Sequence, residues 1–317
     1  MTDEREIEFD VVEAGRFKSV GQPVARREDL RLITGKGRFT DDFNAPGQVH
    51  AVLVRSPYPH ARIKQIDKAS AEGMPGVLAV LTGEDCLADD LGIISHSPVP
   101  STRSDLKLTA PGGGAIFEGP HALLPVDKVR HVGEGVAMVV AESHRAALDA
   151  AEHVRIDYES LPWVADSAAA IEDGAPAVWD EIPNNICVDT TFGDSAATES
   201  AFANAAHIVE MEFPIQRVTA TPLEPRAALG QYDEASGRYT LNAGSNGAVS
   251  HKRQIAGALN EDPENIRVLC FDVGGNFGTK NRVYVEFGLV LWAAKKVGRP
   301  VKFLATRSES FLSDYQG

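Results

Sequence analysis

Ten residues from Phe271 to Lys280, FDVGGNFGTK, combine what a ligand-binding turn needs: Gly274, Gly275 and Gly278 leave the backbone bare, and Phe277 sets a flat ring among them. A backbone without Cβ atoms can approach a ligand closely and offer unpaired N–H groups to polar oxygens. Two nucleotide-binding patterns can be tested against the spacing. A dinucleotide turn needs G-x-G-x-x-G, but Val273 stands where the first glycine belongs. A P-loop needs four residues between its glycines and then Gly-Lys-Ser/Thr, whereas Thr279 precedes Lys280 here. Neither pattern is met, which leaves a plain glycine turn or a bare turn with Phe277 pressed against the same ligand.

Other reactive side chains form no familiar constellation. The stretch AGSNG at 243–247 misses the nucleophile elbow at Ala243, and no partner Asp–His pair is evident. His60, His121, His131 and His144 fall singly and read as surface or hydrogen-bonded histidines. Cys86, Cys187 and Cys270 lie far apart, which argues against a disulfide framework or a cysteine-bound metal and reads as small buried residues. Glu224 and Arg226 read as a structural pair, with a direct substrate role as the alternative. No residue is assigned a catalytic or metal-ligating role.

Strands and helices in alternation must position the turn. VHAVLVRS (49–56) reads as an apolar strand stopped by Pro57 and Pro59, and RIKQID (62–67) as an alternating strand that returns beside it as in a hairpin. A short helix around KASAEGM, the strands GVLAVLT (76–82) and GVAMVVA (135–141), a helix over 143–154 and the strand RIDYES follow. Two strand–helix–strand units imply an α+β or mixed α/β domain. The Ala-, Pro-, Asp- and Asn-rich segment 165–190 reads as a domain boundary. Beyond it, AAHIVEMEFPIQ and RYTLNAGS are expected as strands and VSHKRQIAGALN as a helix. NIRVLCFDV is expected as a fully buried strand running into the glycines. Residues 284–298 have helical length and a stop at Gly298, and PVKFLATRSE reads as a buried strand.

With 317 residues, 43% of them hydrophobic, the chain can build two or more cored domains. A formal net charge of −14, with bases interspersed among acids, argues against a nucleic-acid surface and fits a solubility role. The acidic start MTDEREIEFDVV is unlike a signal peptide, and no apolar run reaches the ~18 residues of a membrane span. The expected location is cytoplasmic.

Five stretches carry a wider likeness: residues 26–63 (RREDLRLITGKGRFTDDF onward), 127–164 (DKVRHVGEGVAMVVAESHRAALDAAEHV onward), TPLEPRAALGQYD (221–233), AGSNGAVSHKR (243–253) and 272–317 from DVGGNFGTK. In this order they make the chain resemble the molybdenum hydroxylase large subunits, the family of xanthine dehydrogenase, aldehyde oxidase and aerobic carbon monoxide dehydrogenase. The resemblance implies an α+β fold. A tail (1–25) precedes an a/b hammerhead domain (26–165), a linker (166–190) and an incomplete first molybdopterin-binding domain (191–317). It also implies that Gly275, Phe277 and Gly278 pack against a molybdenum–molybdopterin cofactor, in its plain or cytosine dinucleotide form, and that Asn276 and Asn246 join them.

Three positions depart from better-known members. Asn276 replaces a frequent glycine, and is expected to adopt a tolerated φ or offer its amide to the cofactor. Asn246 stands where many members place a glutamine, and Asn281 follows Lys280 where purine-oxidising members have a glutamate, which argues against xanthine as substrate. Family members run more than twice this length, and their remaining part supplies further cofactor loops and the glutamate base. The resemblance therefore implies a hydroxylase portion that oxidises an aldehyde, an N-heterocycle or a CO-type substrate with oxygen from water. Its expected partners are the missing C-terminal half of the large subunit, an FAD-binding medium subunit and a 2Fe-2S small subunit, and it is inactive without that half. The rival expectation is a truncated, non-catalytic binding or assembly module.

Overall fold

The computed structural model describes residues 26–95 and 107–315, so the expected tail at 1–25 lies outside the described residues. Residues up to Arg38 form one unit and those from Phe39 a second. In the first, helix α1 (Asp29–Ile33) is held at its start by Asp29, whose carboxylate accepts from the Arg26 backbone and side chain.

The second unit begins with β1 (Val49–Arg55), β2 (Ala61–Asp67), α2 (Ala69–Glu72), β3 (Val77–Thr82) and α3 (Gly83–Ala88). Short strands β4 (Ile93–Ile94), β5 (His121–Ala122) and β6 (Lys128–Val129) lead to β7 (Gly135–Ala141), α4 (His144–Ala151) and β8 (Arg155–Ser160). After α5 (Ser195–Ala203) come β9 (Ala227–Asp233), β10 (Arg238–Ala243), α6 (Ala248–Ala258) and β11 (Ile266–Leu269). Helix α7 (Val285–Val297), β12 (Val301–Leu304) and α8 (Arg307–Ser313) complete it. No helix among the described residues is long and apolar enough to cross a membrane.

A seven-stranded sheet in the order β11-β10-β9-β12-β1-β7-β3 joins strands from both halves of the chain. The junction is the parallel pair β1–β12, with Val49 beside Val301 and Ala51 beside Phe303. The unbroken apolar run of β7 explains its place between β1 and β3, because both of its faces are covered. Met138 and Val140 pack with Leu53 and Leu81 on one side, while Ala137 and Val139 meet Ala147 and Ala150 of α4 on the other. On β9, Gly230 admits α7 at close range: a Cβ there would lie 2.6 Å from the Val290 backbone.

Four local expectations fail. The hairpin of β1 with β2 is absent; β1 joins β12 and β7, whereas the alternating β2 pairs with β6 and β8 in a three-stranded sheet. Residues 205–216 form no strand. The strand before the glycines stops at Leu269 and, among the described residues, lies at the sheet edge paired with β10 alone, so it is half buried instead of fully buried. PVKFLATRSE divides into β12 and α8, because Thr306 Oγ1 accepts from the Glu309 amide (3.1 Å) while Glu309 accepts from the Thr306 amide (2.8 Å). Segment 166–190 holds little regular structure, yet Asn185 ties Val178, Ala170 and Pro176 together and Asp180 meets Lys128 at 2.6 Å.

A buried carboxylate links the two halves. Glu286, 2% exposed on α7, accepts from Arg55 at the end of β1 and from Arg226 just before β9, both at 2.9 Å. Arg55 also binds Glu309 at 3.0 Å, and Arg226 pairs with Asp314 and lies 4.1 Å over the Tyr284 ring. Burial alone would raise the Glu286 carboxyl, but the charges of Arg226 and Arg55 and their hydrogen bonds hold it down at about 2 against an ordinary 4.5. A depressed carboxylate contributes stability that is fully present above its unfolded pKa and lost as pH falls through the folded one. Glu286→Gln should therefore cost about 3–5 kcal/mol in urea unfolding near neutral pH, by leaving two buried guanidiniums short of an anion. The gap to wild type should narrow as pH falls from about 4.5 toward about 2. A gap that stays constant over that range would remove the charge from the explanation.

Candidate functional site

Strands β10 and β11 run parallel, and the loops leaving their C-terminal ends meet. In parallel sheets such ends are where ligands bind. The loop from β10, Gly244–Gly247, feeds α6, whose first turn carries no side-chain cap. The loop from β11 carries the glycine turn. The Asn246 backbone N–H donates to the Lys280 carbonyl at 3.1 Å, so the structure brings Asn246 to the base of that turn, with its side chain exposed.

The turn is strained where the ring sits. Phe277, 77% exposed, has φ +48°, and Gly275 and Gly278 on either side have φ +103° and +95°. A Cβ on Gly275 would press on the Phe277 ring (3.1 Å) and on Pro222 (3.2 Å), so space as well as φ requires glycine there. A Cβ on Gly278 would meet nothing within 4 Å, and only its φ demands glycine. Asn276 takes no positive φ. Its amide braces the turn instead, donating to Asn281 Oδ1 and accepting from the Lys280 N–H, both at 2.7 Å. The five residues singled out in the sequence thus adjoin, but Asn276 is engaged internally.

Glu224 organises the turn from a third loop. Its carboxylate accepts from the Gly274 N–H (2.7 Å), the Lys280 ammonium (2.6 Å) and the Thr40 N–H (3.1 Å), and its own N–H donates to the Gly274 carbonyl (3.1 Å). Lys280 is 3% exposed, so the pair is a buried one. The expected pairing of Glu224 with Arg226 does not occur, because Arg226 is held by Glu286 and Asp314. Thr221, two residues before Leu223, is a β-branched residue at φ +46°, and Arg307 clamps the carbonyls of Pro222 and Leu223 at 2.7 and 2.8 Å. Two non-glycine residues at positive φ beside one turn mark a place where surrounding contacts hold strain, a common property of ligand sites.

Below the turn, His251 of α6 is fully buried with Nε2 3.4 Å from the Asn281 carbonyl, and burial lowers its pKa, which keeps the ring neutral. Cys270 is half-buried and not simply a core residue: its sulfur accepts from the Ser245 N–H and donates to the Ser245 carbonyl. Cys86 is the buried one, its thiol pushed up to about 12 by burial. Among the described residues no group of three His, Cys, Asp or Glu could hold a metal ion. The donors present are backbone N–H groups of the uncapped α6 start and an open glycine turn beside an exposed ring. That set suits a planar, anionic cofactor held by the backbone and not a metal held by side chains.

Comparison with known proteins agrees with this chemistry. Residues 178–317 match the molybdopterin cofactor-binding domain, and residues 34–162 match the aldehyde oxidase and xanthine dehydrogenase a/b hammerhead domain. The chain belongs to the molybdenum hydroxylase large-subunit family. It is 36% identical to the nicotine 6-hydroxylase large subunit of Paenarthrobacter nicotinovorans, over 93% of this chain and 34% of that protein. It is 32% identical to the carbon monoxide dehydrogenase large chain of Afipia carboxidovorans, over 95% and 37%. Its fold superimposes on quinoline 2-oxidoreductase from Pseudomonas putida 86 with a TM-score of 0.81 at 33% identity, covering 93% of this chain and 35% of that one. The chain thus spans about a third of the length of these three relatives.

Removing the carboxylate should disorder the turn. Glu224→Ala leaves Lys280 buried without its partner and should cost about 3–5 kcal/mol in urea unfolding. Hydrogen exchange at Gly274 and Lys280 should accelerate with it, while the Glu224→Ala, Lys280→Met double variant recovers much of the loss. Unchanged exchange at Gly274 would mean that the turn holds its shape without Glu224. Gly278→Ala, which meets only a φ penalty, should cost about 1–3 kcal/mol, and Gly275→Ala more.

Proposed function

We propose that the chain serves as the N-terminal portion of a molybdenum hydroxylase large subunit, with residues 26–165 as the hammerhead part, 166–190 as linker and 191–317 as an incomplete first cofactor domain. The observation that carries this reading is the convergence of Gly244–Gly247, Thr221–Glu224 and the glycine turn, through the Asn246–Lys280 and Glu224–Gly274 bonds, inside a matched cofactor-binding domain. In the proposed site Gly275, Asn276, Phe277, Gly278 and Asn246 line one wall of the cofactor pocket. A bound molybdenum–molybdopterin supplies the two-electron oxidation. The chain's own contribution is binding and orientation: the glycine turn offers backbone, Phe277 its ring, Asn246 its exposed amide, and Glu224 and Lys280 fix their positions.

The proposed reaction is oxidation of an aldehyde, an N-heterocycle or a CO-type substrate, with oxygen drawn from water, in the cytoplasm. Asn281, engaged by Asn276, puts a neutral amide where a purine-binding carboxylate would be needed. The proposed partners are the polypeptide that supplies the rest of the large subunit, an FAD-binding subunit and a 2Fe-2S subunit, through which electrons leave. A cofactor of this size needs many polar contacts from an enclosed pocket, and three loops make one wall.

Molybdenum quantification and a dye-reduction assay test the reading. Expressed alone, the chain should carry no molybdenum and reduce no dye; expressed with the rest of the subunit it should carry about one molybdenum per complex, the single cofactor the pocket is proposed to hold. Stoichiometric molybdenum in the isolated chain would overturn the division of the site between two parts.

A further inference from the structure

Residues 207–218, HIVEMEFPIQRV, have the alternation of a half-buried strand, yet among the described residues their backbone pairs with no other strand. Val209, Met211, Phe213 and Ile215 recur at period two and are 84%, 67%, 71% and 90% exposed. Glu210, Glu212 and Gln216 alternate with them. Burying an apolar side chain of this size stabilises by about 1.5–3 kcal/mol, so four together form a patch of the kind that marks an interaction surface. The segment leads directly into the Thr221–Glu224 loop that Arg307 and Lys280 hold, and so into the candidate site.

We propose that residues 207–218 are an edge strand that forms on association with the polypeptide supplying the remaining two-thirds of the subunit, an inference that rests on the functional reading above. The occupant follows from the length of the relatives, about two-thirds of which lies outside this chain, and from the position of the segment within the matched cofactor domain. A second copy of this chain fits poorly. Antiparallel self-pairing centred on Met211 sets Glu210 of one copy against Glu212 of the other, and each chain carries a net charge of −14.

Pro214 fixes which edge of the strand is used. In a strand, alternate residues direct their N–H and C=O groups to opposite edges, and a proline within it is confined to the unpaired one. Pro214 shares its edge with Glu210, Glu212 and Gln216, so the paired edge is that of Val209, Met211, Phe213 and Ile215. Their side chains also share one face, and it is this face that packs inward.

The test is residue-resolved hydrogen exchange on the full chain, alone and in complex with the rest of the subunit, together with association measured for charge variants. On assembly the amides of Val209, Met211, Phe213 and Ile215 should slow by about ten-fold or more, and those of Glu210 and Glu212 much less. Met211→Lys or Phe213→Lys should weaken association by about ten-fold or more, while Glu210→Lys and Glu212→Lys change it by less than about three-fold. All four should leave the melting temperature of the isolated chain unaltered, since the side chains lie in water there. Association with unchanged exchange across 207–218, or equal losses from both sets of variants, would overturn the strand. So would protection that appears in the isolated chain as its concentration rises, which would assign the segment to a second copy. Failure of the wild-type polypeptides to associate at all would overturn the functional reading first, and this inference with it.

Discussion

The carboxylate of Glu286 is the point on which the second unit turns. It sits on α7, under the sheet, and it reaches one arginine from β1 and another from the start of β9. Two guanidiniums that close would repel each other without an anion between them, and none of the three could be buried without the others. The consequence is geometric. Arg55 can meet Glu286 only when β1 lies where β12 can pair with it, so the ion cluster and the parallel β1–β12 ladder specify the same arrangement. The chain matches two family domains, yet their strands complete one sheet.

A second buried carboxylate repeats this logic closer to the surface. Glu224 has no partner nearby in sequence. It gathers Thr40, Gly274 and Lys280 from 184, 50 and 56 residues away, and so ties the beginning of the unit to the glycine turn. Around it the backbone departs from comfortable geometry at Thr221 and Phe277. Strain of this kind persists only where neighbouring contacts over-determine it. Arg307, Asn276 and the Glu224–Lys280 pair are those contacts, and the result is a ring and a bare backbone held out toward solvent.

Much of this was legible in residue patterns, and what was not has a common cause. Strands such as β7 and β3 and helices such as α4 and α7 announce themselves through periodicity and end signals that act within a few residues. The glycine turn could be recognised because Gly274, Gly275 and Gly278 are adjacent in sequence. Pairings across the chain could not be read: β1 looks ready for a hairpin with β2, and only its burial on both faces sends it into the larger sheet instead. Glu224 and Arg226, two residues apart, looked like partners, yet each found its counter-ion far away in sequence, Glu224 in Lys280 and Arg226 in Glu286 and Asp314. Strand β9 passed unnoticed because AALGQYD lacks the β-branched residues that usually mark a strand. In the other direction, HIVEMEFP reads as a strand because its local pattern is sound. What it lacks is a neighbour.

The central claim is that the three loops at the ends of β9, β10 and β11 form one wall of a molybdopterin pocket. The most direct test is an anomalous-scattering map recorded at the molybdenum edge from crystals of the assembled subunit. The account places the metal peak over the face bounded by Thr221–Glu224, Gly244–Gly247 and Gly274–Asn281, on the side to which Phe277 is exposed. A peak on the opposite side of the sheet, or one reached by none of these loops, would contradict it.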